Sequence, residues 1–279
     1  MYQLIAFDMD GTLLNSGKVI GERTKAAIER AAKAGKEVAF CTGRAPVELR
    51  GFPEQLPGMR YAICNNGAAV WDLREKKKLC SALLDPELML RAMELSDPED
   101  YLIQFYLDEM QYSDLSPERL GPCGMLEYLP MYERLGVPVV PDLRERLARE
   151  PQKVEKLALH FPGKESRLRA EARIKAAGLP LNVNYGNKFT LEFTVPGTTK
   201  GLGLRKLCDH LKIPLSEAIA VGDSENDNEA IAAAGLGVAM GNATEELKRL
   251  ADAIVADNDH DGCAEAIDRF LLGEEKPEK

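Results

Sequence analysis

The sequence predicts a doubly wound, mostly parallel α/β sheet carrying an inserted α+β module. Two observations predict the sheet. Short apolar runs end again and again in polar residues with a glycine close by, as in Leu4 to Phe7 before Asp8-Met9-Asp10-Gly11, and Val38 to Cys41 before Thr42-Gly43-Arg44. Between such runs lie helix-forming stretches, which makes the order βαβ-like. A third observation predicts the insertion: the grammar changes in mid-chain and later resumes. The expected boundaries are a first core part over 1–82, an inserted domain over 83–188 and a second core part over 189–279.

Taken in order, Leu4-Ile5-Ala6-Phe7 is an uninterrupted apolar run, the mark of a strand buried on both faces. Arg23 to Ala34 is rich in helix formers, with a narrow stripe of Ala27, Ile28, Ala31 and Ala32 and a stop at Gly35. Val38 to Cys41 and Tyr61 to Cys64 are the next two strands, the latter ending in Asn65-Asn66-Gly67. Trp71 to Lys78 reads as an exposed hairpin turn or connector. Pro86 to Leu95 reads as a helix with proline in its first turn. Tyr101 to Leu107 is a strand that continues across a turn into Glu109 to Ser113. Residues 114–152 are broken by prolines, Pro117, Pro130, Pro138 and Pro141 among them. Lys156 to Phe161 is a further strand, Ser166 to Ala177 a helix closed by Gly178, and Leu181 to Tyr185 alternates like a strand.

The core pattern is expected to resume near Phe189. The run Thr190 to Val195 precedes Pro196-Gly197-Thr198-Thr199-Lys200-Gly201 and a helix to about Leu211. Ala218 to Val221 runs into Gly222-Asp223-Ser224-Glu225-Asn226-Asp227, with a helix from Asn228 closed by Gly235. Gly237 to Met240 and Ala253 to Val255 are the last strands. An amphipathic helix to about Leu272 and a frayed tail over 274–279 close the reading.

The chain has 279 residues, 45% hydrophobic and 29% charged, enough for a large core. Its net charge of −9 argues against a nucleic-acid partner, which needs a basic face. No apolar run reaches the length of a membrane span, and no leader pattern is seen at the start. Six cysteines without a C-x-x-C pair, and three histidines, do not make a zinc site. Cys41 and Cys64 read as small buried hydrophobes. His160, inside a strand pattern, reads as structural. A reduced, cytoplasmic setting is expected.

The candidate chemistry lies at the strand ends. Ligands of open α/β sheets bind outside the carboxyl ends of the strands. Asp8 and Asp10, spaced i, i+2, either form a turn with Gly11 or share a cation. With Asp223 they make an all-oxygen set suited to Mg²⁺. Lys200 puts a positive charge at a helix start, Thr42 supplies a hydroxyl, and Gly43 allows close backbone approach. A hard cation, a lysine, a hydroxyl and free N–H groups suit a phosphoryl group.

Four motifs in order now carry a resemblance: Asp8-Met9-Asp10-Gly11-Thr12, Thr42-Gly43-Arg44, Lys200-Gly201, and Gly222-Asp223-Ser224-Glu225-Asn226-Asp227. Asn66-Gly67-Ala68, the stretch Val238 to Ala243, and Asn258 with Asp261-Gly262 support them. The chain resembles the haloacid dehalogenase (HAD) superfamily, and within it the Cof-type phosphatases with a C2B cap. The resemblance covers the core parts and is weak over the insertion. One departure is Ala230, where the family often has methionine.

The resemblance implies a Rossmann-like core and a Mg²⁺-dependent phosphatase for small-molecule phosphate esters. It implies Asp8 as nucleophile, forming an aspartyl-phosphate, and Asp10 as general acid/base whose backbone carbonyl also binds metal. Asp223 is implied as a direct metal ligand. Asp227 is either in the metal's outer sphere or bound through water, and it can also cap the helix that follows. Thr42 and Lys200 are implied to hold the phosphoryl oxygens. Met9, Gly43, Arg44 and Asn226 complete the expected substrate-binding set. The alternatives are a phosphohexomutase of the same superfamily and, from another class, a phospho-accepting signalling domain. Cap tyrosines are candidates for specificity.

Overall fold

The computed structural model describes residues 1–97, 99–114 and 120–274. The chain forms two compact units. One comprises Met1–Arg44, Leu49–Cys80 and Thr199–Lys279, the other Ala45–Glu48 and Ser81–Thr198.

The first unit is built on an eight-stranded sheet of β1 (Leu4–Phe7), β2 (Glu37–Cys41), β3 (Met59–Cys64), β4 (Ala69–Asp72), β5 (Lys77–Ser81), β11 (Ala218–Gly222), β12 (Leu236–Ala239) and β13 (Ala253–Ile254), in the order β13-β12-β11-β1-β2-β3-β4-β5. The pairs from β13 to β3 are parallel, and β4 returns antiparallel on β3. This is the mostly parallel, Rossmann-like sheet expected. All four β1 residues are buried, as sandwiching between two layers requires. Burying Leu4, Ile5 and Phe7 contributes about 1.5–3 kcal/mol each. Helix Glu22–Lys33 covers the sheet with Thr24, Ala27, Ile28 and Ala31.

The chain winds outward from β1 through β2 to β3 on one side, and from β11 through β12 to β13 on the other. The switch point therefore falls between β1 and β11. Their register pairs Phe7 with Val221, and β1 pairs Phe7 with Phe40 of β2. Asp8 thus leaves the sheet beside Gly222-Asp223 on one flank and Cys41-Thr42 on the other.

The second unit holds a five-stranded antiparallel sheet of β6 (Leu102–Leu107), β7 (Met110–Ser113), β8 (Lys156–His160), β9 (Asn182–Asn184) and β10 (Thr190–Thr194), in the order β7-β6-β8-β10-β9. Helices Pro86–Ser96 and Lys164–Ala176 contribute Met89, Met93, Ala170 and Ile174 to its core. One boundary differs from the sequence reading. The expected return at 189 comes at Thr199, because β10 pairs with β8 and β9 and so belongs to the inserted sheet. A second difference lies in the proline-broken stretch, which contains helices Leu129–Leu135 and Leu143–Arg149. Pro130 stands in the first turn of the former, where its missing N–H costs nothing. Pro117 and most of the expected tail (275–279) lie outside the described residues.

His160 is structural, as expected. Its ring lies buried between Thr190 Oγ1 and Gln104 Oε1, both at 2.8 Å. Burial, aided by the Lys156 charge, pulls its pKa down to about 3.

Candidate active site

The site is assembled where the strands of the first unit end. Asp8, the residue after β1, donates its backbone N–H to Val221 O at 3.0 Å and is tied to the neighbouring strand. Helix Lys200–Leu211 is capped by Thr199, whose hydroxyl accepts from Leu202 N at 3.1 Å. That cap fixes the first helical residue, Lys200, with its side chain fully buried. Its Nζ donates to Asp8 Oδ1 and to Asp227 Oδ1, both at 2.6 Å.

Asp227 closes a capping box with Ser224 over the turn Glu225–Asp227. Its Oδ2 accepts the backbone N–H of Asp223 at 3.0 Å and of Ser224 at 3.1 Å. Both Asp227 oxygens are therefore committed, one to Lys200 and one to backbone. The expected cap on the helix from Asn228 is not made: the Asp227 side chain accepts from no N–H of that helix and reaches back to the preceding turn instead. Gly222 makes the room, since a Cβ there would stand 2.3 Å from Asp227 Cγ.

Asp223 accepts from Thr12 Oγ1 at 2.7 Å through its Oδ1. Carboxylate oxygens of Asp8, Asp223 and Asp227 lie within 4.8 Å of one another. Among the described residues, no backbone N–H, amine or hydroxyl donates to Asp8 Oδ2 or Asp223 Oδ2, and the two carboxyls are hydrogen-bonded to each other. Gly11 shapes this corner: its φ is +86°, and a Cβ would lie 2.5 Å from Asp223 Oδ2. The loop after β1 is clamped from behind. Asn242 Nδ2 donates to Gly11 O at 2.7 Å, Asn258 Nδ2 to Leu14 O at 2.9 Å, and the Asn258 N–H to Asn242 Oδ1 at 3.1 Å.

The electrostatics follow from burial. Desolvation pushes the Asp8 carboxyl up to about 8; Lys200 opposes this, while Asp227 and Asp223 add to it. Burial also raises Asp223, with Thr12 opposing and Asp227 reinforcing. Burial acts against the Lys200 ammonium, but the charges of Asp227 and Asp8 outweigh it, and its pKa lies above the ordinary lysine range. Two crowded carboxylates whose Oδ2 atoms meet no backbone N–H, amine or hydroxyl are the donor set a hard divalent cation fits. Cys41 is no rival nucleophile: burial holds its thiol up at about 12, so it stays protonated.

The remaining expected residues are distributed as follows. Asp10 is half-exposed and bonded to Arg44 Nε and Nη2, each at 2.8 Å, and to Lys18 Nζ at 3.2 Å. Arg44 is thus engaged by a site carboxylate. Thr42 is buried, and its Oγ1 accepts from Arg44 N at 3.1 Å, which leaves its O–H to donate elsewhere. Asn226 donates to Asn66 Oδ1 at 3.2 Å, and a Cβ on Gly43 would lie 2.9 Å from that same oxygen. Met9, in the expected substrate-binding set, turns its side chain away from the strand ends. Its side chain is fully buried in the core, and its carbonyl accepts from Leu14 N at 2.8 Å and Thr12 N at 3.3 Å. Thr12 and Lys18 were not among the expected site residues. Thr12 sits in the first motif, but its partner Asp223 is 211 positions away, which no local pattern reveals.

A model of the haloacid dehalogenase-like hydrolases matches residues 5–267. The chain belongs to that family. Phosphatase YwpJ of Bacillus subtilis (strain 168) is 30% identical over 286 residues, covering 96% of this chain and all of that protein. Pyridoxal phosphate phosphatase YbhA of Escherichia coli (strain K12) is 28% identical over 274 residues, covering 97% and 99%. The solved structure of a haloacid dehalogenase-like hydrolase from B. subtilis superposes with a TM-score of 0.83 at 28% identity, covering 96% and 100%. Both named relatives are phosphatases, and this haloacid dehalogenase-like hydrolase stands with them as a phosphoric monoester hydrolase. No helix among its described residues is long and apolar enough to cross a membrane.

Proposed function

We propose that the protein is a Mg²⁺-dependent phosphatase of small-molecule phosphomonoesters that works through an aspartyl-phosphate on Asp8. The observation that carries this reading is the Lys200 ammonium bridging Asp8 and Asp227 at 2.6 Å, with Asp223 against Asp8 at the sheet's switch point. Asp8 and Asp223 would hold the metal, with the Asp10 backbone carbonyl. Asp227, saturated by Lys200 and two backbone N–H groups, would act behind them. A divalent cation held there would neutralise the carboxylate cluster and would stabilise negative charge on the phosphoryl group.

In the first step an Asp8 oxygen attacks phosphorus. The Asp8 O–P bond forms, the P–O bond to the leaving group breaks, and Asp10 gives its proton to the departing oxygen. Lys200 and the Thr42 hydroxyl hold the equatorial oxygens. In the second step Asp10 takes a proton from water while the water oxygen attacks phosphorus. Inorganic phosphate leaves and the Asp8 carboxylate returns.

The substrate class proposed is a sugar phosphate or phosphorylated cofactor. That one relative bears the name of a pyridoxal phosphate phosphatase places cofactor phosphates first in the panel. The test is phosphate release from sugar, nucleotide and cofactor phosphates, with Mg²⁺ and with chelator. Metal-dependent release supports the reading. Transfer between substrate hydroxyls that needs a bisphosphate activator, without net release, would favour a mutase. A long-lived phosphoenzyme without turnover would favour a signalling domain.

A further inference from the structure

The bidentate pair between Arg44 and Asp10 is not used by the chemistry above. We propose that Arg44 is the positioning residue for the acid/base: its guanidinium fork fixes the direction of the Asp10 carboxylate. The inference rests on the function proposed above for Asp10.

Asp10 needs such help. Its side chain is 46% exposed, on a loop whose neighbours Asp8 and Thr12 are buried. A half-exposed aspartate held at one point can still turn about χ1 and χ2. The Arg44 fork holds it at two, Nε on Oδ2 and Nη2 on Oδ1, both at 2.8 Å. A rigid planar fork matches a carboxylate in a way a point charge cannot.

Arg44 is itself well anchored. Its backbone N–H donates to Thr42 Oγ1 at 3.1 Å, and its carbonyl accepts from Asn65 N at 3.0 Å. Its side chain is 21% exposed. The same contact that orients Asp10 is thus tied to the hydroxyl proposed to hold the phosphoryl group.

The donors divide unequally. Oδ1 receives Arg44 Nη2 and Lys18 Nζ, the latter at 3.2 Å. Oδ2 receives Arg44 Nε alone among the described residues. Each carboxylate oxygen offers two lone-pair sites. Oδ2 keeps one that no donor among the described residues fills.

The test compares Arg44→Ala and Arg44→Lys with wild type by rapid quench, on p-nitrophenyl phosphate and on an alkyl phosphate. The nitrophenolate leaves without a proton, so forming the phosphoenzyme from it does not call on Asp10. Breakdown of the phosphoenzyme does. For Arg44→Ala, the rate of phosphoenzyme formation from p-nitrophenyl phosphate and the substrate Kd read from its concentration dependence stay within about three-fold, while breakdown slows about 100-fold. On the alkyl phosphate both steps slow about 100-fold. Added guanidinium restores breakdown in Arg44→Ala, which a folding defect would not allow. Arg44→Lys recovers little.

Slower phosphoenzyme formation with raised Kd on both substrates would overturn the inference and make Arg44 a substrate ligand. Unchanged breakdown would overturn it outright. Failure of wild type to form any phosphoenzyme would instead bring down the proposed function, and the inference with it.

Discussion

Replacing Lys200 with methionine removes the positive charge bonded to two buried carboxylates, Asp8 and Asp227, while keeping most of the side chain's volume. Lys200 makes two charge-assisted hydrogen bonds of 2.6 Å and has no exposed side-chain surface, so solvent does not screen them. Hydrogen bonds to charged groups contribute about 1.5–3 kcal/mol each, which gives about 3–6 kcal/mol for the two. Breaking a buried pair by removing one partner costs about 3–5 kcal/mol, a consistent figure. Lys200→Met should therefore lose about 3–5 kcal/mol of unfolding free energy in chelator, read by urea titration. Mg²⁺ should restore part of it, since the cation takes over part of the charge neutralisation. Turnover at saturating Mg²⁺ and substrate should fall about 100- to 1000-fold, the usual effect of losing one preorganised stabiliser of transition-state charge. A variant within 1 kcal/mol of wild type by the same titration, or with turnover within about three-fold, would refute the reasoning.

Three further outcomes follow from the same geometry. His160 has its pKa lowered in the folded state to about 3 against an ordinary 6.5, so the unfolded chain binds its proton first as pH falls. Its contribution to stability is complete above about pH 6.5 and is lost at up to about 1.4 kcal/mol per pH unit below it; His160→Gln should flatten that slope in acid titrations, and an unchanged slope would refute the assignment. Gly11→Ala must accept φ +86° and a Cβ 2.5 Å from Asp223 Oδ2, so it should lose about 1–3 kcal/mol and most of its turnover; wild-type behaviour in urea titration and phosphate release would contradict the geometry. Mg²⁺ at about 100 times its Kd should stabilise the wild type by about 2.7 kcal/mol, and Asp223→Ala should abolish that gain in thermal denaturation.

Much of the fold is legible locally because strands buried on both faces are continuous apolar runs. Leu4 to Phe7 and Ala218 to Val221 announce themselves, and the polar residues that end them mark the crevice. Which sheet a strand joins is a different matter. Thr190–Thr194 looks like another core strand, yet it pairs antiparallel with Lys156–His160, a long-range choice that no periodicity encodes. The helices at Leu129–Leu135 and Leu143–Arg149 escape a rule that treats proline as a breaker, since Pro130 stands in a first turn and starts a helix. Helix Glu245–Leu250 carries a local signal: Thr244 caps it by accepting from Leu247 N, acids fill its first turn and bases its last.

The site divides in the same way. Asp8, Asp223, Asp227 and Lys200 stand in short motifs, and the structure brings them together. The contacts that orient them, Thr12 to Asp223, Arg44 to Asp10 and Asn242 to Gly11, span 34 to 231 positions and exist only in the folded chain.

The measurement that bears most directly on the central claim is acid quenching during turnover of p-nitrophenyl phosphate with Mg²⁺, followed by peptide mass spectrometry. The account predicts a phosphoryl adduct on the peptide containing Asp8, dependent on metal and absent from Asp8→Asn, which should fold normally and not turn over. An adduct on another residue, or metal-dependent turnover by Asp8→Asn near the wild-type rate, would contradict it.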